Sequence, residues 1–185
     1  MRKLLYAFGL TSALVFAMAA HAAAPNFAGT WTLDKSKSQG LNPRQQNAES
    51  VSWSVTQTDK EITIDEKITG GQMSGPPGGG PAGGGGGGGR GMGGGFGGPR
   101  TFNLDGSETS GEMGRGKFVR KATMSSDGKT LELVTKSTLQ GQDGEVTITS
   151  NDKLSLSADG KVLTVVRHSE GGPRGPQDST LVFNK

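Results

Sequence analysis

"ATMSSDGKTLELVTKS", residues 122–137, returns 32 residues later as "LSLSADGKVLTVVRHS", residues 154–169. Each copy sets an Asp-Gly pair, Asp127-Gly128 or Asp159-Gly160, between two runs of alternating apolar and polar residues. Glycine accepts a positive φ without a Cβ clash, so such a pair between alternating runs marks a hairpin turn. Two copies are too few for a solenoid. They predict two similar hairpins in an antiparallel meander.

The same period of two extends along the chain. Val51, Trp53 and Val55 share one face of their run, with hydroxyl residues on the other. Ile62 and Ile64 oppose Glu61, Thr63 and Asp65, and Val146, Ile148, Leu154 and Leu156 share a parity opposite Thr147, Thr149 and Ser155. Strands with one buried and one wet face read this way. Expected strands lie near 29–34, 50–57, 61–68, 101–104, 117–125, 130–138, 145–156 (with a bend or break near Asn151), 161–168 and 179–184. Thr58-Asp59-Lys60-Glu61 is a further turn. One short helix is expected at Asn42–Ala48, with Asn42 as cap and Pro43 in the first turn. Eight or nine short strands in succession suggest an all-β fold, either an up-and-down barrel or a β-sandwich.

The first residues are expected to lie outside that fold. Arg2 and Lys3 precede an uncharged apolar run from Leu4 to Ala20, and Ala20-His21-Ala22 supplies a small-x-small cleavage site. This is the layout of a signal peptide spanning residues 1–22, which leaves residues 23–185 as one exported domain with no membrane span. Cleavage removes two basic and no acidic residues, so the net charge falls from +3 to +1. A nearly neutral chain gives no electrostatic case for nucleic acid. The chain has no Cys, so no disulfide supplements the core.

The opening of the exported part, "NFAGTWTLDKSKS" at residues 26–38, resembles the first strand of calycin-type barrels, where a Gly-x-Trp begins strand A; here that is Gly29-Thr30-Trp31. The string is also similar to the start of secreted bacterial lipocalin-like proteins of uncharacterised function, in which hairpins of the "SADGKVLTV" kind recur near the C-terminus. The resemblance covers both ends of the exported chain and not residues 70–100. It implies a lipocalin-like barrel and a periplasmic or secreted location. It also implies that a late-strand Arg, here Arg167, stacks on the Trp31 indole. Leu163, Val165 and Arg167 share one parity, but residues 162–166 are apolar on both faces, so alternation leaves the direction of Arg167 open. The sequence lacks the paired cysteines of many lipocalins and the two-helix lid of fatty-acid-binding proteins.

Residues 70–99 hold 19 of the chain's 33 glycines. A segment of that composition buries too little apolar surface to offset its ordering entropy, so it is expected to be a flexible loop between two strands. Closing ~30 residues rather than ~4 costs about 2 kcal/mol. Gly89 to Gly94 matches G-x-G-x-x-G literally, but no helix pattern follows, so dinucleotide binding is not implied. Arg90, Phe96 and Arg100 give the tract an RGG look, yet two arginines release few counterions. Met73, Met92 and Phe96 are isolated apolar residues for touching a partner or a barrel mouth.

Catalytic frames are absent. His168, with Glu170, supplies at most two metal ligands where a site needs three or four, so no metal or cofactor is expected. No nucleophile elbow occurs. Asp65 and Glu66 point to opposite faces of one strand. The reading is therefore a non-enzymatic exported protein. Its first expected partner is a small apolar or amphipathic ligand held inside the barrel by Trp53, Phe102, Phe118 and Met124. Those side chains serve equally as core filling. The alternative partner is another envelope protein, met by the glycine-rich loop or the barrel surface.

Overall fold

The computed structural model describes residues 25–70, 98–114, 116–141, 144–172 and 175–185. The expected leader, and nearly all of the glycine-rich tract, lie outside the described residues.

Among the described residues ten strands follow in order: β1 (Gly29–Leu33), β2 (Ser50–Gln57), β3 (Glu61–Thr69), β4 (Arg100–Asn103), β5 (Thr109–Met113), β6 (Gly116–Met124), β7 (Thr130–Gly141), β8 (Gly144–Leu156), β9 (Val162–Glu170) and β10 (Gln177–Asn184). A short helix, α1 (Pro43–Asn47), separates β1 from β2. The strands form one antiparallel sheet in the order β4-β3-β2-β1-β10-β9-β8-β7-β6-β5. Chain neighbours are therefore sheet neighbours, except that β4 and β5 are not paired, and β1 pairs with β10 to join the two ends of the chain. β4 and β5 are the sheet edges, and β4 packs alongside β6 and β5 across the remaining seam. This is a nearly closed, lipocalin-like up-and-down barrel. A sandwich would need two sheets.

The two repeated hairpins turn alike. Gly128 and Gly160 have φ of 69° and 67°, and Asp127 and Asp159 each accept from a serine hydroxyl and a lysine backbone N–H. In α1 the Asn42 side chain accepts from the Gln45 N–H at 2.9 Å, and the Gln45 side chain returns a bond to the Asn42 N–H.

Alternation becomes packing at the end of the barrel nearest these hairpins. Trp31 faces Trp53 across β1–β2, and Trp53 meets Phe183 at 4.7 Å between ring centroids. Ile62, Ile64, Phe102, Leu131, Leu133, Leu154, Leu163, Val165 and Leu181 fill the remaining space. Phe27 covers this end; its carbonyl accepts from the Trp31 indole at 2.8 Å.

Three expectations need correction. β5 was not anticipated: Thr109–Met113 is polar and lacks an alternating apolar face, and pairing with β6 makes it a strand. β8 runs unbroken through Asn151, which is laddered to Val134 on one side and His168 on the other. Arg167 does not stack on Trp31. It points inward, as do Leu163 and Val165, but it sits over Trp53 at 5.9 Å, while the Lys185 ammonium lies 4.8 Å from the Trp31 ring. The reason is register. Arg167 is four residues beyond Leu163, about 13 Å along the strand, and directly opposite Asp152 of β8.

Candidate ligand-binding interior

Above the apolar floor the inner face changes character. Arg100 follows Phe102 in parity, Arg120 follows Phe118 and Ala122, Asp152 follows Leu154, and Arg167 follows Val165. Each strand thus carries one charged residue inward at about the same height, and the sheet brings them together.

Arg167 and Asp152 form the centre. Arg167 Nε and Nη2 donate to the two Asp152 oxygens at 2.7 Å each, a bidentate pair. Arg100 Nη1 lies 3.6 Å from Asp152 Oδ2, and Ser150 donates to Asp152 Oδ1 at 3.1 Å. Arg100 and Arg167 both lie over the Trp53 ring, at 5.4 and 5.9 Å from its centroid. Glu66 of β3 adds a second negative charge beside Arg100 and Arg167, and Gln45 of α1 reaches it at 3.5 Å. Burial pushes the Asp152 carboxyl up, but the Arg167 charge and hydrogen bonds, joined by Arg100 and Ser150, hold it below the usual carboxylate range. Burial pulls Arg167 down, and Asp152 more than reverses this, so Arg167 is raised.

Arg120 is different. It is 6% exposed, and its guanidinium lies 4.0 Å from the Phe118 ring centroid and 6.0 Å from that of Phe102. Among the described residues no carboxylate pairs with it. Burial, then the like charge of Arg100, lowers it. Arg100 is also lowered, by burial and then by Arg167. Guanidinium groups keep their proton in proteins, so these shifts express unrelieved cost rather than neutralisation.

Unmet hydrogen-bonding capacity collects here. Among the described residues, Arg100 Nη2, Arg120 Nε, Trp53 Nε1 and Thr109 Oγ1 are buried and have no hydrogen-bond partner; Asn151 Oδ1 of β8 is the one other such atom. Thr109 is the ladder partner of Arg120. Among the described residues three guanidiniums face two carboxylates, which leaves a formal excess of one positive charge.

Beyond the arginines the inner face turns apolar again without closing. Phe118, Leu139 and Ile148 are half-buried, and Val146 is 41% exposed. Ser137, buried, lies between Phe118 and Ile148 in the ladders.

The four aromatic and sulfur side chains singled out from sequence are distributed along this axis. Trp53 and Phe102 are fully buried beneath the arginines, and Phe118 stands at the level above. Met124 lies at the opposite end of β6, across from Leu131, away from the charged layer. Gly29 begins β1, and Trp31 is buried in the floor. His168 is exposed on the outer face, 2.6 Å from Asp178 of β10. Among the described residues no cluster of three or more His, Asp or Glu is placed to hold a metal. No helix among them is long and apolar enough to cross a membrane. A cleft lined by Glu112, Lys117, Thr138, Gln140 and Glu145 lies away from the barrel interior, and its mixed charge selects no ligand.

Sequence reasoning passed over Arg100, Arg120 and Asp152 as site residues, and set Glu66 aside. The available signal was a charged residue at an apolar parity position, and it occurs in five strands. It was followed only for Arg167.

No family model matches the chain, and no curated protein matches it. Among solved structures, zebrafish ileal bile acid-binding protein complexed with cholic acid is similar over 86% of this chain and 98% of that one, at 14% identity and a TM-score of 0.42.

Proposed function

We propose that the protein is exported and binds a small amphipathic molecule in the half of the barrel opposite the packed floor. One observation carries the binding: along one inner face, a sealed apolar floor gives way to a charged layer, with Arg120 and Asp152 buried and Arg100 and Arg167 half-buried, and then to an apolar lip that remains partly exposed. A domain that only needed a core would close that lip or line it with polar side chains. Apolar walls with a few convergent polar groups describe a small-molecule site. Phe118 belongs to both zones, because its ring carries Arg120 and its position adjoins the lip. Export rests on the basic start, apolar run and Ala20-x-Ala22 pattern of the first residues.

The test is direct. Purified protein is titrated with N-phenyl-1-naphthylamine, a neutral apolar fluorophore, and probed for co-purified small molecules by native mass spectrometry. Saturable binding at one equivalent that weakens in Ile148→Asp supports the site. Absence of both saturable fluorescence and any co-purified molecule refutes it.

A further inference from the structure

We infer that Arg120, with Arg100, receives the anionic group of the ligand, and that this group carries a single negative charge, as a carboxylate or sulfonate does. The inference rests on the amphipathic-ligand reading above and specifies its polar end.

Arg120 is the first reason. It is 6% exposed, stays charged, and has no carboxylate against it among the described residues. A buried cation without a counter-charge is costly, and folded proteins retain one chiefly where something pairs with it. Phe118 and Phe102 hold the guanidinium in place and supply none of the missing charge.

The second reason is the kind of group left unmet. Arg100 Nη2, Arg120 Nε and Trp53 Nε1 can only donate. What satisfies them is a compact acceptor. Thr109 Oγ1, also unmet, sits on the Arg120 ladder pair and can donate as well.

The third reason is the charge count. Asp152 and Glu66 already offset two of the three guanidiniums, and the Asp152–Arg167 pair is closed bidentately. One further negative charge balances the layer. A dianion would exceed the balance and face Asp152 and Glu66 across a water-poor interior.

The experiment compares probes that share a skeleton. 1-Anilinonaphthalene-8-sulfonate is N-phenyl-1-naphthylamine with one sulfonate added. The full chain is expected to bind the sulfonate about tenfold or more tightly than the neutral probe, as a charge-assisted hydrogen bond requires. Arg120→Met is expected to remove that advantage and leave the neutral probe within about twofold. Arg120→Lys, which keeps the charge and loses the Nε–H, is expected to fall between them. Decanoate is expected to displace the sulfonate at least about fivefold better than decyl phosphate at pH 8, and Glu66→Gln to narrow that gap.

If neither naphthalene probe binds and no small molecule co-purifies, the amphipathic-ligand reading fails. If the neutral probe binds and the sulfonate gains nothing, or Arg120→Met leaves its advantage intact, only the anion assignment is overturned. Equal displacement by decyl phosphate overturns the single-charge assignment. Near-UV circular dichroism verifies that each variant keeps the packing of Trp31 and Trp53.

Discussion

Arg120→Met should make the ligand-free protein more stable. In the folded protein Arg120 is 6% exposed, and among the described residues its Nε–H has no acceptor and the charge that acts on it is the like-signed Arg100. Replacing a whole buried ion pair by apolar side chains of similar volume is often stabilising by about 1–4 kcal/mol. Here no pair is lost. The contact with Phe118 at 4.0 Å is lost, which costs about 0.5–2 kcal/mol. The centres of the two ranges leave a net gain of ~1 kcal/mol. For a domain of roughly this size each kcal/mol moves Tm by about 3–4 °C, so Tm should rise by ~3–4 °C. Thermal unfolding by circular dichroism measures the shift. A urea titration verifies it as a higher midpoint with an unchanged slope. A fall in Tm of 2 °C or more would refute the reasoning, because it would mean that Arg120 has a counter-charge and belongs to the scaffold. A rise, combined with loss of the sulfonate's advantage, is the pattern of a residue kept for binding at a cost in stability.

Asp152→Asn should act in the opposite direction, by about 3–5 kcal/mol of lost stability, because it strands Arg167 and Arg100 without their carboxylate; chemical denaturation at neutral pH measures this. The folded carboxyl of Asp152 titrates below its unfolded value. Its contribution is therefore complete above about pH 5 and lost as pH falls through the folded pKa, so stability should decline steeply below pH ~4 in the native chain and less so in Asp152→Asn. His168 is raised from 6.5 by the Asp178 hydrogen bond, followed by the Asp178 and Glu170 charges. Its imidazole resonances should therefore titrate above that value, and Asp178→Asn should move them down; any stabilisation is present below the unfolded pKa and disappears as pH rises through the folded one. An unmoved titration would show that the 2.6 Å contact does not persist in solution. N-terminal sequencing of the exported protein should begin at Ala23 or within a residue or two, and a form that retains Tyr6 would exclude the leader.

Much of the barrel is legible in the sequence, because side chains alternate with a period of two and this is a local property of the backbone. Val51, Trp53 and Val55, or Ile62 and Ile64, declare their buried face without reference to any other strand. Asp-Gly between two such runs declares a turn, and Asn42-Pro43 with Gln45 declares a capped helix start, since both depend on adjacent residues only. Which strand lies beside which is not local. β1 meets β10 across nearly the whole chain, and that pairing distinguishes one nearly closed sheet from two stacked ones. β5 has no pattern of its own and exists because β6 offers it a ladder. The run Val162–Val166 is apolar on both faces, and only the surrounding core chooses Leu163 and Val165 as its inner residues, leaving Val166 half-exposed. The charged layer belongs to the tertiary structure in the same sense. Arg100, Glu66, Arg120, Asp152 and Arg167 each look like a single exception to an apolar parity; register sets them at one height, closure brings them within reach of one another, and burial turns five separate charges into one excess cation.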